Sequence, residues 1–199
     1  MIRAIQWIIE RRLRAIEYEH GIPLAHLHQI LRVSPLGFLK FMMVMPLARF
    51  RRALPPEAYH IARIVTASHE DCGTCLQTEV RLAKRAGVST AILQTTLDEN
   101  SCALSPDLAE VYFFVEAVAT CNGAEEDFRE AILRRYGEVG LVELSLAIAV
   151  CRMFPTVKHV MGYAAPREPS DRPFSLGSDR FSTRHRFLGR HCSAFSPNV

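Results

Sequence analysis

The chain has 199 residues, of which 49% are hydrophobic, and it carries a formal net charge of +3. A chain of this length can bury a hydrophobic core without disulfide bonds, so one compact domain is expected. Although six cysteines are present, a small disulfide-stabilised scaffold is not expected. Because residues 166–199 hold six arginines and three acidic residues, the basic excess lies in this tail and leaves no basic patch elsewhere for nucleic acid.

Apolar residues recur with helical periodicity along the chain, and no segment alternates long enough to compete as a strand. The sequence therefore predicts an all-α protein. Turn residues, prolines and capping residues mark its helix ends. The predicted helices run to Gly21, over 24–31, over 36–52, from Pro55-Pro56 to about Ser68, from Cys72 to Gly87, after Ser89, from Ser105-Pro106 to Asn122-Gly123, to Tyr136-Gly137, and over 141–163 with a break or kink at Pro155.

The first helix carries a stripe of isoleucines with arginines opposite. Such a helix can pack on protein or a second subunit, or it can lie on an anionic membrane surface. Three glutamates, Glu10, Glu17 and Glu19, oppose the membrane alternative. Packing against protein is therefore the favoured interpretation.

The chain opens without the features of a secretory leader, because Arg3 lies in the first turn and charge returns at Glu10. The longest apolar run, Phe38–Ala48, is interrupted by Lys40 and Pro46 and is too short to span a bilayer. A cytoplasmic protein with no membrane partner is expected. Residues 166–199 are rich in proline, serine and arginine, which predicts a disordered tail.

Reactive side chains cluster in the segment from His69 to Glu79, which contains Cys72-Gly-Thr-Cys75. Two cysteines three residues apart at the start of a helix share a face, so their sulfurs can meet as a disulfide. A helix N-terminus also lowers the pKa of a thiol. The pair is thus a redox centre, half of a metal site, or two buried apolar side chains.

Glu79 is the only charged residue on the apolar face of the predicted Cys72 helix. No basic residue lies three or four positions away to pair with it. Burial would favour its protonated form, so it could exchange a proton with the Cys75 thiol one turn earlier. The alternative is a glutamate at the edge of the stripe that extends to water.

His60 lies on the preceding predicted helix, beside an apolar stripe. A histidine in this position is commonly structural. If the two helices form an antiparallel hairpin around Glu70-Asp71, however, His60 faces the second helix and could act with Glu79 as a proton relay.

The segment from Glu57 to Ser89 resembles the carboxymuconolactone decarboxylase and alkylhydroperoxidase D-like superfamily. The resemblance rests on Ile61-Ala-Arg-Ile-Val-Thr-Ala-Ser, Asp71-Cys-Gly-Thr-Cys and Arg81-Leu-Ala-Lys-Arg-Ala-Gly-Val-Ser, and it continues more loosely to Tyr163. It implies an all-helical domain over residues 54–165, an N-terminal extension over residues 1–53, and a homo-oligomer, often a trimer or hexamer.

By the family pattern, Cys75 is the thiol that attacks a small hydroperoxide and Cys72 is the resolving thiol. The resemblance implies a peroxidase that needs no metal or cofactor and takes electrons from a dithiol, carried in one branch of the family by a lipoylated protein. Redox members usually have glutamate at the position of His60 and histidine at that of Glu79. The two residue types are exchanged here, which places a carboxylate nearest Cys75.

Three other functions stay open at this stage. A lactone decarboxylase of the same superfamily is disfavoured, because that branch generally lacks the cysteine pair. Structural zinc on His69, Cys72 and Cys75 would need a further ligand, and no second Cys-x-x-Cys is present. A helical interaction module without redox chemistry is expected if both cysteines are only buried packing residues.

Overall fold

The computed structural model describes residues 2–166, so the predicted disordered tail lies outside the described residues except for Pro166. Within residues 2–166 the protein is all-helical, as predicted, and contains no strand. The helices are α1 (Ile2–His20), α2 (Ala25–Val33), α3 (Pro35–Met42), a 3-10 helix (Leu47–Arg49), α4 (Pro56–His69), α5 (Gly73–Arg85), α6 (Thr90–Leu97), a second 3-10 helix (Ser101–Ala103), α7 (Pro106–Thr120) and α8 (Glu125–Val160).

Helix α4 is the central element of the fold. Its residues from Ala58 to Ala67 are all buried, as expected for a helix surrounded by other elements rather than lying on a surface. It contacts α5, α6, α7 and α8, and its Ile61 belongs to the same apolar core as Val115 of α7 and Leu144 of α8. The side chains on α4 are therefore held on several sides, which positions the polar ones among them.

Helices α4 and α5 pack against each other, with residues 70–72 as the connection between them. Two side-chain hydrogen bonds hold this connection against neighbouring helices. His69 Nε2 lies 2.7 Å from Glu116 of α7, and Arg152 of α8 donates to Glu70 at 2.8 Å. The start of α5, where the cysteine pair lies, is thus fixed from two sides.

The N-terminal helices have their own small apolar core, formed by Leu13, Leu27, Leu31 and Phe38. The prediction of one helix over 36–52 is wrong, because α3 ends at Met42 and only a 3-10 turn follows at Leu47–Arg49. Pro46 explains the interruption, since proline lacks a backbone N–H and its ring clashes with the carbonyl four residues earlier.

Helix α8 changes direction at Gly137, whose backbone (φ 67°, ψ −176°) is not helical. This is the position where the sequence predicts one helix to end before the next begins. Of the break or kink predicted at Pro155, the break is absent, because the helix continues to Val160 with Gly137 as its one non-helical residue. The Pro155 side chain is fully buried at the point where the proline removes a backbone hydrogen bond.

By length and composition, α8 is the one helix among residues 2–166 that is apolar enough to cross a membrane. The buried core helix of a soluble protein meets the same criterion, so this is weak evidence. Here α8 packs along α4 and α7 and carries the fully buried carboxylate of Glu143.

Glu143 attaches the segment that precedes α4 to α8. Its carboxylate accepts hydrogen bonds from three consecutive backbone amides, those of Arg52, Ala53 and Leu54. Because hydrogen bonds to a charged acceptor are strong, a carboxylate that accepts from three backbone amides, one of them in the buried Leu54, stabilises the connection between the N-terminal helices and the core.

We expect the Glu143→Gln variant to lose about 2 to 3 kcal/mol of unfolding free energy. The side-chain amide nitrogen of glutamine would face backbone N–H groups, and it cannot accept hydrogen bonds from them. Urea unfolding followed by circular dichroism measures this loss. Glu138→Gln, at an exposed position of the same helix, is the matched control. Equal stabilities of the two variants would contradict the anchoring role of Glu143.

Candidate redox site

Cys72 and Cys75 form a disulfide at the start of α5, with their Cα atoms 5.3 Å apart. Cys72 is the N-cap residue and Cys75 lies in the first turn. Cys72 has no exposed surface, whereas Cys75 is 6% exposed. The start of α5 thus joins the two sulfurs and leaves Cys75 as the less buried residue of the pair.

The backbone around the pair is ordered by hydrogen bonds. The Cys72 carbonyl accepts from the amide of Cys75, and the Gly73 amide donates to Ala165 O at 3.1 Å, so the segment after α8 lies across the start of α5. The sulfurs therefore lie at the positive end of a helix dipole, an environment that favours a thiolate over a thiol once the disulfide is reduced.

Glu79 is buried on the same face of α5 as Cys75, as the helical projection predicts, but its partner is Arg63 of α4. Both carboxylate oxygens accept hydrogen bonds of 2.7 Å, one from Nε and one from Nη2 of Arg63. Burial alone lowers the pKa of Arg63, but the charge and hydrogen bonds of Glu79 together raise it above its ordinary value. The two side chains form a buried, bidentate ion pair.

Glu79 thus has a basic partner on the neighbouring helix, whereas no basic residue lies three or four positions away on its own helix. The residue hydrogen-bonded to its carboxylate is Arg63 and not His60. Arg63 lies within the quoted segment Ile61–Ser68, and its position among apolar residues such as Ile61 and Ile64 was the available sign that it needed a buried anion. Because Arg63 neutralises Glu79, the carboxylate opposes a thiolate at Cys75 far less than an isolated charge would.

His60 lies beside this ion pair without joining it. Its residue is 9% exposed, and its Nδ1 has no hydrogen-bond partner among the described residues. Burial lowers the pKa of His60 to about 4, although the charge of Glu79 acts in the opposite direction. The imidazole is therefore neutral at neutral pH, and it offers an unpaired nitrogen close to a buried charge.

The ion pair is closed off by neighbouring groups. Arg63 Nη1 and the Tyr59 hydroxyl both donate to the carbonyl of Ala48, in the 3-10 helix before α4. On another side, the Cys151 thiol donates to Arg63 O at 3.2 Å. Burial, and next the charge of Glu79, raise the pKa of Cys151 well above its ordinary value, so this thiol stays protonated and unreactive at neutral pH.

A second buried charge near the pair was not identified from the sequence. Lys158 of α8 is 5% exposed, and its Nζ donates to Thr74 Oγ1 at 3.3 Å. The same hydroxyl lies 3.6 Å from Cys72 Sγ. Lys158 continues the apolar stripe of Ile148 and Cys151 at helical spacing, so its place on that stripe was the signal that could have revealed it.

The three residues of the zinc hypothesis do not converge. His69 pairs with Glu116, and the sulfurs of Cys72 and Cys75 are bonded to each other. Within the part of the chain that the structure describes, no group of three or more His, Cys, Asp and Glu side chains is placed to hold a metal ion.

Comparisons with known proteins return no match. No family model, no curated protein and no solved structure is similar to the chain. The likeness to the alkylhydroperoxidase D-like superfamily therefore stays a prediction from the quoted motifs.

Proposed function

We propose that the protein is a thiol oxidoreductase whose Cys72–Cys75 dithiol is oxidised by a small hydroperoxide and reduced again by an external dithiol. The observation that carries this proposal is the disulfide itself, placed at a helix N-terminus with the buried Lys158 linked to Cys72 Sγ through the Thr74 hydroxyl. A disulfide with no other role would not require a cation to be kept out of water nearby.

The oxidative half of the reaction begins at Cys75, the less buried residue of the pair. Its thiolate attacks the terminal oxygen of the hydroperoxide, the O–O bond breaks, and the alcohol leaves with a proton. The resulting sulfenic acid on Cys75 is attacked by Cys72, which forms the disulfide and releases water. Cys72 suits this second role because its burial protects it from direct attack by the oxidant.

The reductive half returns two electrons from a dithiol by thiol-disulfide exchange. Under the family resemblance this donor is a dithiol cofactor on a partner protein, a lipoylated protein being one such carrier. The same resemblance leads us to propose a cytoplasmic homo-oligomer. The exposed apolar side chains of α1, Ile5, Trp7 and Ile8, support packing against a second copy.

Proton transfer at Cys75 involves the buried groups Glu79 and His60. The His60–Glu79 relay stays a prediction, since Glu79 would first have to release one hydrogen bond from Arg63. A neutral His60 with an unpaired Nδ1 can accept a hydrogen bond or a proton. Its low pKa makes it a weak base, so we expect the helix N-terminus to contribute more than His60 to thiolate formation.

Turnover of cumene hydroperoxide with dithiothreitol as the electron donor tests this function. We expect the wild-type protein to consume peroxide in many-fold excess over protein, and the Cys72→Ser/Cys75→Ser protein to show only the background rate. Cys121→Ser, which removes an exposed free thiol outside the site, is the matched control and should keep the wild-type rate. Equal rates in the wild-type and double-serine proteins would refute the proposal.

A further inference from the structure

The polar contacts of Cys72 connect it to a cation. Because a disulfide sulfur carries no proton, the Thr74 hydroxyl donates to Cys72 Sγ, and its oxygen accepts from the Lys158 ammonium. Both hydrogen bonds thus point from Lys158 toward one sulfur of the pair. The sulfur of Cys75 takes no part in this chain.

The charge of Lys158 is energetically unfavourable at this buried position as long as Cys72 and Cys75 form a disulfide. Its side chain is buried, and none of the carboxylates in residues 5–166 forms a salt bridge with it. Desolvation by burial accordingly lowers its pKa below the ordinary value. A disulfide is neutral and offers no compensating charge, whereas a thiolate at Cys72 would supply it one hydroxyl away.

The other titratable group facing Lys158 does not provide that charge. His26 of α2 is buried beside it and contacts the ring of Tyr163. Burial, followed by the charge of Lys158, lowers the pKa of His26 to about 4, so this imidazole is neutral above about pH 5. Cys72 is therefore the group in this cluster that can become the counter-ion of Lys158.

We propose that Lys158, acting through Thr74, is a positioning residue that stabilises Cys72 as a thiolate whenever the disulfide opens. The proposal rests on the redox function proposed above, and it specifies which sulfur the external dithiol attacks during reduction. The thiolate of the external dithiol attacks Cys75 Sγ, the Cys72–Cys75 bond breaks, and Cys72 leaves with the electron pair as a thiolate.

The second thiolate of the donor then attacks the donor's own sulfur in the mixed disulfide and releases Cys75 as a thiolate, which completes a two-electron reduction. A leaving thiol with a lower pKa departs faster, and a stabilised thiolate favours the reduced dithiol at equilibrium. Lys158 thus makes the disulfide both quicker to reduce and more oxidising, and it directs the donor to Cys75, the less buried residue of the pair.

Reduction of the purified disulfide by dithiothreitol tests this assignment in Lys158→Met and Thr74→Val. We expect about tenfold slower reduction in both variants and an exchange constant with dithiothreitol shifted about tenfold toward the disulfide, equivalent to about 30 mV. Thr74→Ser keeps the hydroxyl and should restore wild-type behaviour. Lys40→Met and Thr156→Val, at exposed positions, are the matched controls.

The pKa of Cys72 supplies a readout that a loss of packing would not move. In the Cys75→Ser background, thiolate absorbance measured as the difference from the Cys72→Ser/Cys75→Ser protein gives this pKa. Adding Lys158→Met should raise it by about one unit, because the thiolate loses its nearby cation.

The outcomes separate this assignment from the peroxidase proposal. Rates, exchange constants and pKa values that match those of the control variants would overturn the role of Lys158, even if the wild-type protein reduces peroxide. If the wild-type protein shows no peroxide turnover but Lys158→Met still shifts the exchange constant with dithiothreitol, only the peroxidase proposal would be overturned.

Discussion

Without an added thiol donor, Cys75→Ser should reduce hydroperoxide consumption to the background rate, whereas Cys72→Ser should still consume one hydroperoxide per chain. The reason is the difference in burial, since only Cys75 has exposed surface for the oxidant to reach. In Cys72→Ser the sulfenic acid of Cys75 has no resolving thiol and should persist long enough to react with dimedone. Mass spectrometry of the tryptic peptide that spans residues 72–75 measures the dimedone adduct.

The reciprocal pattern would reassign the two thiols. A dimedone adduct on Cys72 in the Cys75→Ser protein, together with peroxide consumption at the wild-type initial rate, would mean that Cys72 attacks first. Cys121→Ser again serves as the control, because its thiol is exposed but lies at the end of α7, outside the pair.

The second large effect concerns the Arg63–Glu79 ion pair. Removing one partner leaves the other as an uncompensated buried charge, so Arg63→Met and Glu79→Leu should each cost about 3 to 5 kcal/mol of unfolding free energy. The double variant replaces the whole pair by apolar side chains and should be more stable than either single variant. Urea unfolding of the four proteins measures the coupling energy.

An exposed ion pair of the same chemistry provides the control. Arg134 and Glu130 lie 2.9 Å apart with most of both side chains in water, so Arg134→Met and Glu130→Leu should each change stability by less than about 1 kcal/mol. Additive losses in the Arg63 and Glu79 variants, without coupling, would show that the two side chains act independently.

Local features of the sequence predicted much of the fold. Gly21 and Gly87 have the positive φ values expected after a helix C-terminus, and Ser89 caps α6 through its hydroxyl, which accepts from the amide of Ile92. These positions depend on backbone sterics and on neighbours within a few residues. The packing of α5 against α4 was likewise a natural expectation, because consecutive helices joined by a short connection are usually neighbours in space.

The candidate site was predictable only in part. An unpaired carboxylate on an apolar face showed that Glu79 needed a partner, but the choice between His60 and Arg63 depends on how two helices rotate against each other. That rotation is determined by packing across the whole core, which helical periodicity does not encode. Lys158 lies 84 residues from Thr74 in the chain, so its contact is a property of tertiary structure alone.

The helix predicted over 36–52 shows the opposite failure. Apolar periodicity continued through Phe38–Ala48, and it outweighed the local effect of Pro46 in the interpretation of this segment. In the structure the α-helix ends before Pro46, and Ala48 lies in a 3-10 turn. The carbonyl of Ala48 accepts hydrogen bonds from Tyr59 and Arg63. The segment whose helix was wrongly predicted thus provides a backbone acceptor to Arg63 of the buried ion pair.

The stoichiometry of a single oxidation tests the redox dithiol most directly. Fully reduced protein is mixed anaerobically with one equivalent of cumene hydroperoxide, and the products are mapped by non-reducing peptide mass spectrometry. We predict one Cys72–Cys75 disulfide and one molecule of cumyl alcohol for each peroxide consumed. Peroxide left intact beside a reduced pair, or consumed with Cys72 and Cys75 still carrying free thiols, would contradict this function.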